Sequence, residues 1–171
     1  MKKLTLLLFV AISMIACSKK NESNSTVNEK NHLSFKIDGV YWEADKASVF
    51  GSYHLTEELG PKIINISGDK GSGATQQSFI INLYNTDKEG TYTVNVPNNG
   101  TATTNQNIAQ FANLTESNYL CGGMLQGNQL TINISKVSQK PQIVEATFSG
   151  TMQCVEGNTI AITEGKIIYY E

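Results

Sequence analysis

The stretch that decides the fold is VEATFSGTMQC, residues 144–154. Val144, Ala146, Phe148, Met152 and Cys154 fall on one side of an extended chain; Glu145, Thr147, Ser149, Thr151 and Gln153 fall on the other. A period of two marks a half-buried β-strand, because successive side chains of a strand point to opposite faces. Gly150 breaks the apolar set and predicts a bulge or bend. Just upstream, LTINIS (130–135) alternates in the same way, and the link KVSQKPQ (136–142), with Pro141, predicts a hairpin between the two.

Further out, SFKID turns at Asp38-Gly39 into VYWEA, a strong short hairpin signal. Val40, Trp42 and Ala44 share the inward face there, and Tyr41 and Glu43 the outward one. Strands are expected in KASVFGSY, KIINISG, SFIINLYN, TYTVNV and TIAITEGKIIYY, with weaker signals in NIAQFANL and NYLC. GDKGSGATQQ (68–77) reads as a glycine-rich loop and PNNGTATTNQN (97–107) as an exposed one. Roughly nine or ten strands with little helical period predict an all-β antiparallel sandwich or a partly open barrel.

The chain opens differently. Lys2 and Lys3 precede Leu4–Ala16, an apolar run of about 20 Å as a helix. A bilayer core needs about 30 Å, so a secretory signal peptide over 1–16 fits better than a spanning helix. It ends Met14-Ile15-Ala16-Cys17, which resembles the lipobox of bacterial lipoproteins. That resemblance implies a diacylglycerol thioether on Cys17, with Cys17 as the mature N-terminus. Two or more acyl chains hold firmly where one is marginal. Residues 17–32, almost without apolar side chains, read as the lipidated cysteine and a flexible tether, which leaves 33–171 as one domain. Ser18 after Cys17, with no acidic run close behind, places the expected anchor in the outer membrane, facing the periplasm.

All thirteen basic residues are lysines. Arginine is the preferred fork for phosphates, carboxylates and base edges, and its absence argues against nucleic acid and phosphorylated ligands. Removal of Lys2 and Lys3 takes the formal charge from −2 to −4. Cys121 and Cys154 form an even pair in an exported domain and are expected to bridge. No C-x-x-C motif accompanies them and His32 and His54 are isolated, so no zinc site is expected.

The motifs DGVYW, EGTYTV, GNQLTINIS, VEATFSGT and ITEGKIIYY, across about residues 33 to 170, resemble a family of Bacteroidota lipoproteins of uncharacterised function. The resemblance implies the fold and the location and carries no catalytic residues. Cys121 and Cys154 stand outside its pattern.

Tests for chemistry return little. Nucleophilic hydrolysis needs a base beside a nucleophile; His32 falls in the tether and His54 reads as a surface residue. Acid-based hydrolysis could draw on Glu43, Asp45, Glu57 and Glu58, none set apart from a solvated face. Asn85, Asp87, Glu89 and Gly90 match the start of a calcium loop, yet Val96 stands where its bidentate Glu belongs. Gly39 and Trp42 are one residue too far apart for a lipocalin G-x-W. An exposed Tyr41–Tyr53 pair could stack on a sugar. No cofactor is expected. The reading is a non-enzymatic binding or structural module for a glycan or an envelope protein. The alternatives are a lipocalin-like carrier of a small apolar ligand and an acid-based hydrolase.

Overall fold

A computed structural model describes residues 31–54, 62–86, 88–96, 106–115 and 119–171. Cys17, Glu57, Glu58, Asp87 and most of the 97–107 stretch lie outside these residues.

The Asp38-Gly39 signal forms as expected. β1 (His32–Ile37) turns into β2 (Val40–Glu43), with φ of 48° at Asp38 and 83° at Gly39. Positive φ at both central residues gives the turn whose twist matches the flanking strands. The tip is tied down: Ala161 N–H donates to Asp38 Oδ1 at 2.8 Å, and Asp38 N–H to the Ala161 carbonyl at 2.9 Å. β3 (Phe50–His54) follows a 3-10 turn at Lys46–Ser48, so KASVFGSY is half turn and half strand. Then come β4 (Ile63–Lys70), β5 (Gln77–Tyr84), β6 (Gly90–Asn95), β7 (Ile108–Asn113), β8 (Tyr119–Gly122), β9 (Gln129–Gln139), β10 (Gln142–Gln153) and β11 (Thr159–Tyr170).

These eleven strands form two antiparallel sheets that do not close into a barrel. The first has the order β2-β1-β11-β10-β9-β6, the second β3-β4-β5-β7-β8. The KVSQKPQ link proves mostly strand: Gln139 pairs with Gln142, so the turn between β9 and β10 is only Lys140-Pro141. The glycine-rich 68–77 stretch also shortens, since β4 runs through Lys70. Gly150 marks a register shift against β11, as its place in the pattern required. A Cβ there would strike the Gln129 carbonyl.

The inner faces meet in an apolar core of the expected composition. Val144, Ala146, Phe148, Met152 and Cys154 are all buried. Phe35 sits at the centre, 4.6 Å from Trp42 and 4.5 Å from Phe79, ring centre to ring centre. Each such side chain contributes roughly 1.5–3 kcal/mol by leaving water. Cys121 on β8 pairs with Cys154, just past β10, and the two form a disulfide. Val155 N–H donates to the Leu120 carbonyl beside it at 2.9 Å. This seam stitches the outer strand of the second sheet to the first.

Candidate functional site

The inner face of the second sheet changes character at one end. Gly68, Phe79, Phe111 and Cys121 are register partners across β4, β5, β7 and β8, and form an apolar rung. Two residues along each strand, on the same face, the next rung is Lys70, Gln77, Asn113 and Tyr119. With strands about 4.8 Å apart, these four polar side chains span about 14 Å across the sheet. The β1–β2 hairpin of the other sheet faces them. Between the two lies a cleft of about 360 Å³ with Trp42 and Phe111 on its apolar wall and Ile37, Asp38, Val40 and Tyr41 along its hairpin side. Val40 shares Trp42's face, as expected, but hangs over this cleft and is 71 % exposed.

Two amides in the rung have their orientation fixed by groups that can only donate. Trp42 Nε1–H donates to Gln77 Oε1 at 2.7 Å. The indole cannot accept, so the Gln77 oxygen must face it and the NH2 group points elsewhere. Thr115 N–H donates to Asn113 Oδ1 at 3.1 Å, and Thr115 Oγ1 to the same atom at 2.6 Å. Asn113 is only 7 % exposed, and its Nδ2 finds no acceptor among the described residues. A buried donor without a partner costs about 1–3 kcal/mol, a cost a bound acceptor would remove. Tyr119 closes the row, with its hydroxyl 3.5 Å from Cys154 Sγ and accepting from Asn158 Nδ2 at 3.3 Å. Lys70 opens the row, exposed and without an ion pair among the described residues.

A second polar group lies on the outer face of β1 and β2. β1 begins at His32, which is therefore a strand residue and not part of the tether. His32 Nδ1 is 3.2 Å from Glu43 Oε1, His32 Nε2 is 2.8 Å from Ser34 Oγ, and Tyr41 Oη donates to Glu43 Oε2 at 2.8 Å. The order serine, histidine, acid is that of a hydrolase triad. The surroundings are not. Ser34 is 6 % exposed, and β1 is hydrogen-bonded on both sides, so its backbone N–H groups are spent in ladders and leave no oxyanion site. This is a network that fastens β2, an edge strand, to its neighbour.

The remaining candidates separate. Tyr53 is 3 % exposed and belongs to the other sheet from Tyr41, so the proposed tyrosine pair does not form. His54 meets Ser52 Oγ at 3.2 Å, with no acid on its ring among the described residues. Asp45 accepts from Gly71 N–H at 2.9 Å and shapes a loop. Lys136, Glu145 and Tyr170 form a partly exposed cluster in which the Tyr170 hydroxyl, 3.1 Å from the ammonium, raises the Lys136 pKa above its ordinary value. No three His, Cys, Asp or Glu side chains among the described residues gather to hold a metal, and no described helix is long and apolar enough to cross a membrane.

The rung was overlooked in the sequence although a signal exists. Lys70 stands in phase with Ile64 and Ile66, Gln77 with Phe79 and Ile81, and Asn113 with Ala109 and Phe111. Each is a polar residue at the end of an inward-facing apolar set. Compared with family models, curated proteins and solved structures, the chain matches none.

Proposed function

We propose that this chain is a lipid-anchored protein of the bacterial cell envelope that binds an extended saccharide, without turning it over, in the cleft between Trp42 and the Lys70–Gln77–Asn113–Tyr119 rung. The carrying observation is the pair of oriented amides, set side by side over an apolar wall, whose NH2 groups meet no acceptor among the described residues. A few placed polar groups beside an apolar wall is the usual make-up of a small-molecule site, and a sugar offers both an apolar ring face and a fringe of oxygens. The donor spacing of about 4.8 Å is close to the length of one sugar ring. An extended peptide repeats its same-side groups at about 6.7 Å, twice the rise of a strand residue, and would drift out of step with the rung.

The two alternatives lose support. An apolar carrier would need a hollow interior, and the ring cluster of Phe35, Trp42, Phe79, Phe111 and Phe148 fills the middle of the sandwich. An acid-based hydrolase would need two carboxylates across the site, and Asp38 is the one acid among the described residues that line the cleft. The location rests on the lipobox at Cys17 and the apolar run before it.

Trp42 is the sole tryptophan of the chain and its indole N–H is bonded to Gln77 in the cleft, so a ligand that engages that amide should change its emission. Titration of the intact protein in detergent with neutral and acidic oligosaccharides should give a saturable change in that emission. Flat traces across the panel would remove the saccharide reading.

A further inference from the structure

We infer that the saccharide is acidic, and that its anionic group, a carboxylate or a sulfate ester, sits on Lys70; this rests on the saccharide reading above. The rung is unbalanced in hydrogen-bond type. The Lys70 ammonium and the NH2 groups of Gln77 and Asn113, which meet no acceptor among the described residues, only donate, and within the rung Tyr119 alone can also accept. A neutral sugar hydroxyl can accept from such a donor by turning its own hydrogen away, so the ligand's charge is set by the Lys70 ammonium, whose charge-assisted bond to an anion is roughly twice as strong as one to a neutral oxygen. An anionic oxygen only accepts.

Lys70 and Gln77 are direct cross-strand partners, with Cβ atoms about 5 Å apart, so both can reach the oxygens of one anionic group. Lys70 has no protein carboxylate within ion-pair distance among the described residues, so its charge is uncommitted. The other charged lining residue, Asp38, stands on the hairpin side of the cleft. Its Oδ1 is held by Ala161 N–H, and its second oxygen can accept from hydroxyls on the opposite edge of a ring. The cleft therefore has direction. The anionic end of the ligand lies toward β4 and the neutral end toward Tyr119 on β8.

The test compares three probes on the intact protein in detergent, read by Trp42 emission: an oligogalacturonate, the same oligomer fully methyl-esterified, and a sulfated galacto-oligosaccharide, with gluco- and manno-series beside them. At low salt at least one acidic probe should bind ten times or more tighter than its neutral counterpart. The gap should narrow as salt rises, and Lys70→Met should abolish it by bringing the acidic probe's affinity down to that of its neutral counterpart in the same variant. Which acid shows the gap identifies carboxylate or sulfate. If acid and ester bind alike, or the gap survives in Lys70→Met, the charge assignment is overturned and the saccharide reading stands. If no probe of either kind changes the emission, the saccharide reading falls and the charge assignment with it.

Discussion

Gln77 and Asn113 occupy positions where the strand pattern calls for another apolar side chain, and each uses the oxygen of its amide to serve the fold while its NH2 meets no acceptor among the described residues. That division makes a clean substitution available. Gln77→Glu keeps an acceptor for the Trp42 indole and replaces the outward NH2 by a second acceptor. Acidic saccharide binding should weaken at least tenfold, about 1.4 kcal/mol, with the melting temperature moving by no more than about 4 °C, the shift of about 1 kcal/mol at this size. A large loss of stability with unchanged binding would refute the assignment. Gly150 is the opposite case, a residue held only by geometry. It has φ of 152°, and a Cβ would meet backbone of Gln129 and Leu130. Gly150→Ala should destabilise by about 2 kcal/mol or more, read in urea midpoints. At Ser34, a fluorophosphonate should leave no label; labelling that His32→Ala abolishes would show a serine nucleophile there. Single residues were legible where one rule decided them. Trp42 is inward and Gly150 is a bend, as the alternation required. His32 was misplaced because the sequence just before it is tether-like, and nothing local shows that β1 begins one residue early.

Among the elements, β3 shows how a short edge strand is managed. Its outer side is partly closed by one side chain: Tyr53 N–H donates to Gln142 Oε1 at 2.7 Å, and Gln142 Nε2 donates to the Tyr53 carbonyl at 3.3 Å. The amide imitates a neighbouring strand for one residue. Gln142→Ala should cost about 1–3 kcal/mol by orphaning a mostly buried N–H, and should raise the tendency to self-associate through the opened edge; sedimentation with a melt checks both. The Cys121–Cys154 bridge, separated by 33 positions, should contribute about 4 kcal/mol through loop entropy. Reductant should lower the melting temperature by roughly 10 °C. It should also weaken saccharide binding, because Tyr119 leans on Cys154. An unchanged melt would show the seam to be held by packing alone. Long alternating elements such as β10 and β11 could be read nearly to their ends. The sheet each strand joins could not. β5 and β6 are neighbours in sequence and lie in different sheets, since pairing is decided by partners far along the chain. The candidate site depends on that pairing, since its four rung residues come from four strands.

Across the whole molecule, the composition reading and the fold answer separate questions. A lysine-only, acidic chain argues against phosphates and nucleic acid, and the two-sheet sandwich supplies the cleft. On the proposed reading, the apolar leader supplies the address. Cys17→Ser should release the protein from membranes in a carbonate wash, and retention in the pellet would argue against acylation. The position of β1 carries one more consequence. It is not an edge strand: β2 lies on one side and β11 on the other. If the protein hangs by the stretch ahead of Asn31 and grips a polymer in its cleft, any tug between wall and membrane enters through β1. Two ladders then resist at once, and drawing the first strand out would mean shearing both rather than unzipping a free margin. A forced-extension trace should show one high rupture peak in place of gradual peeling.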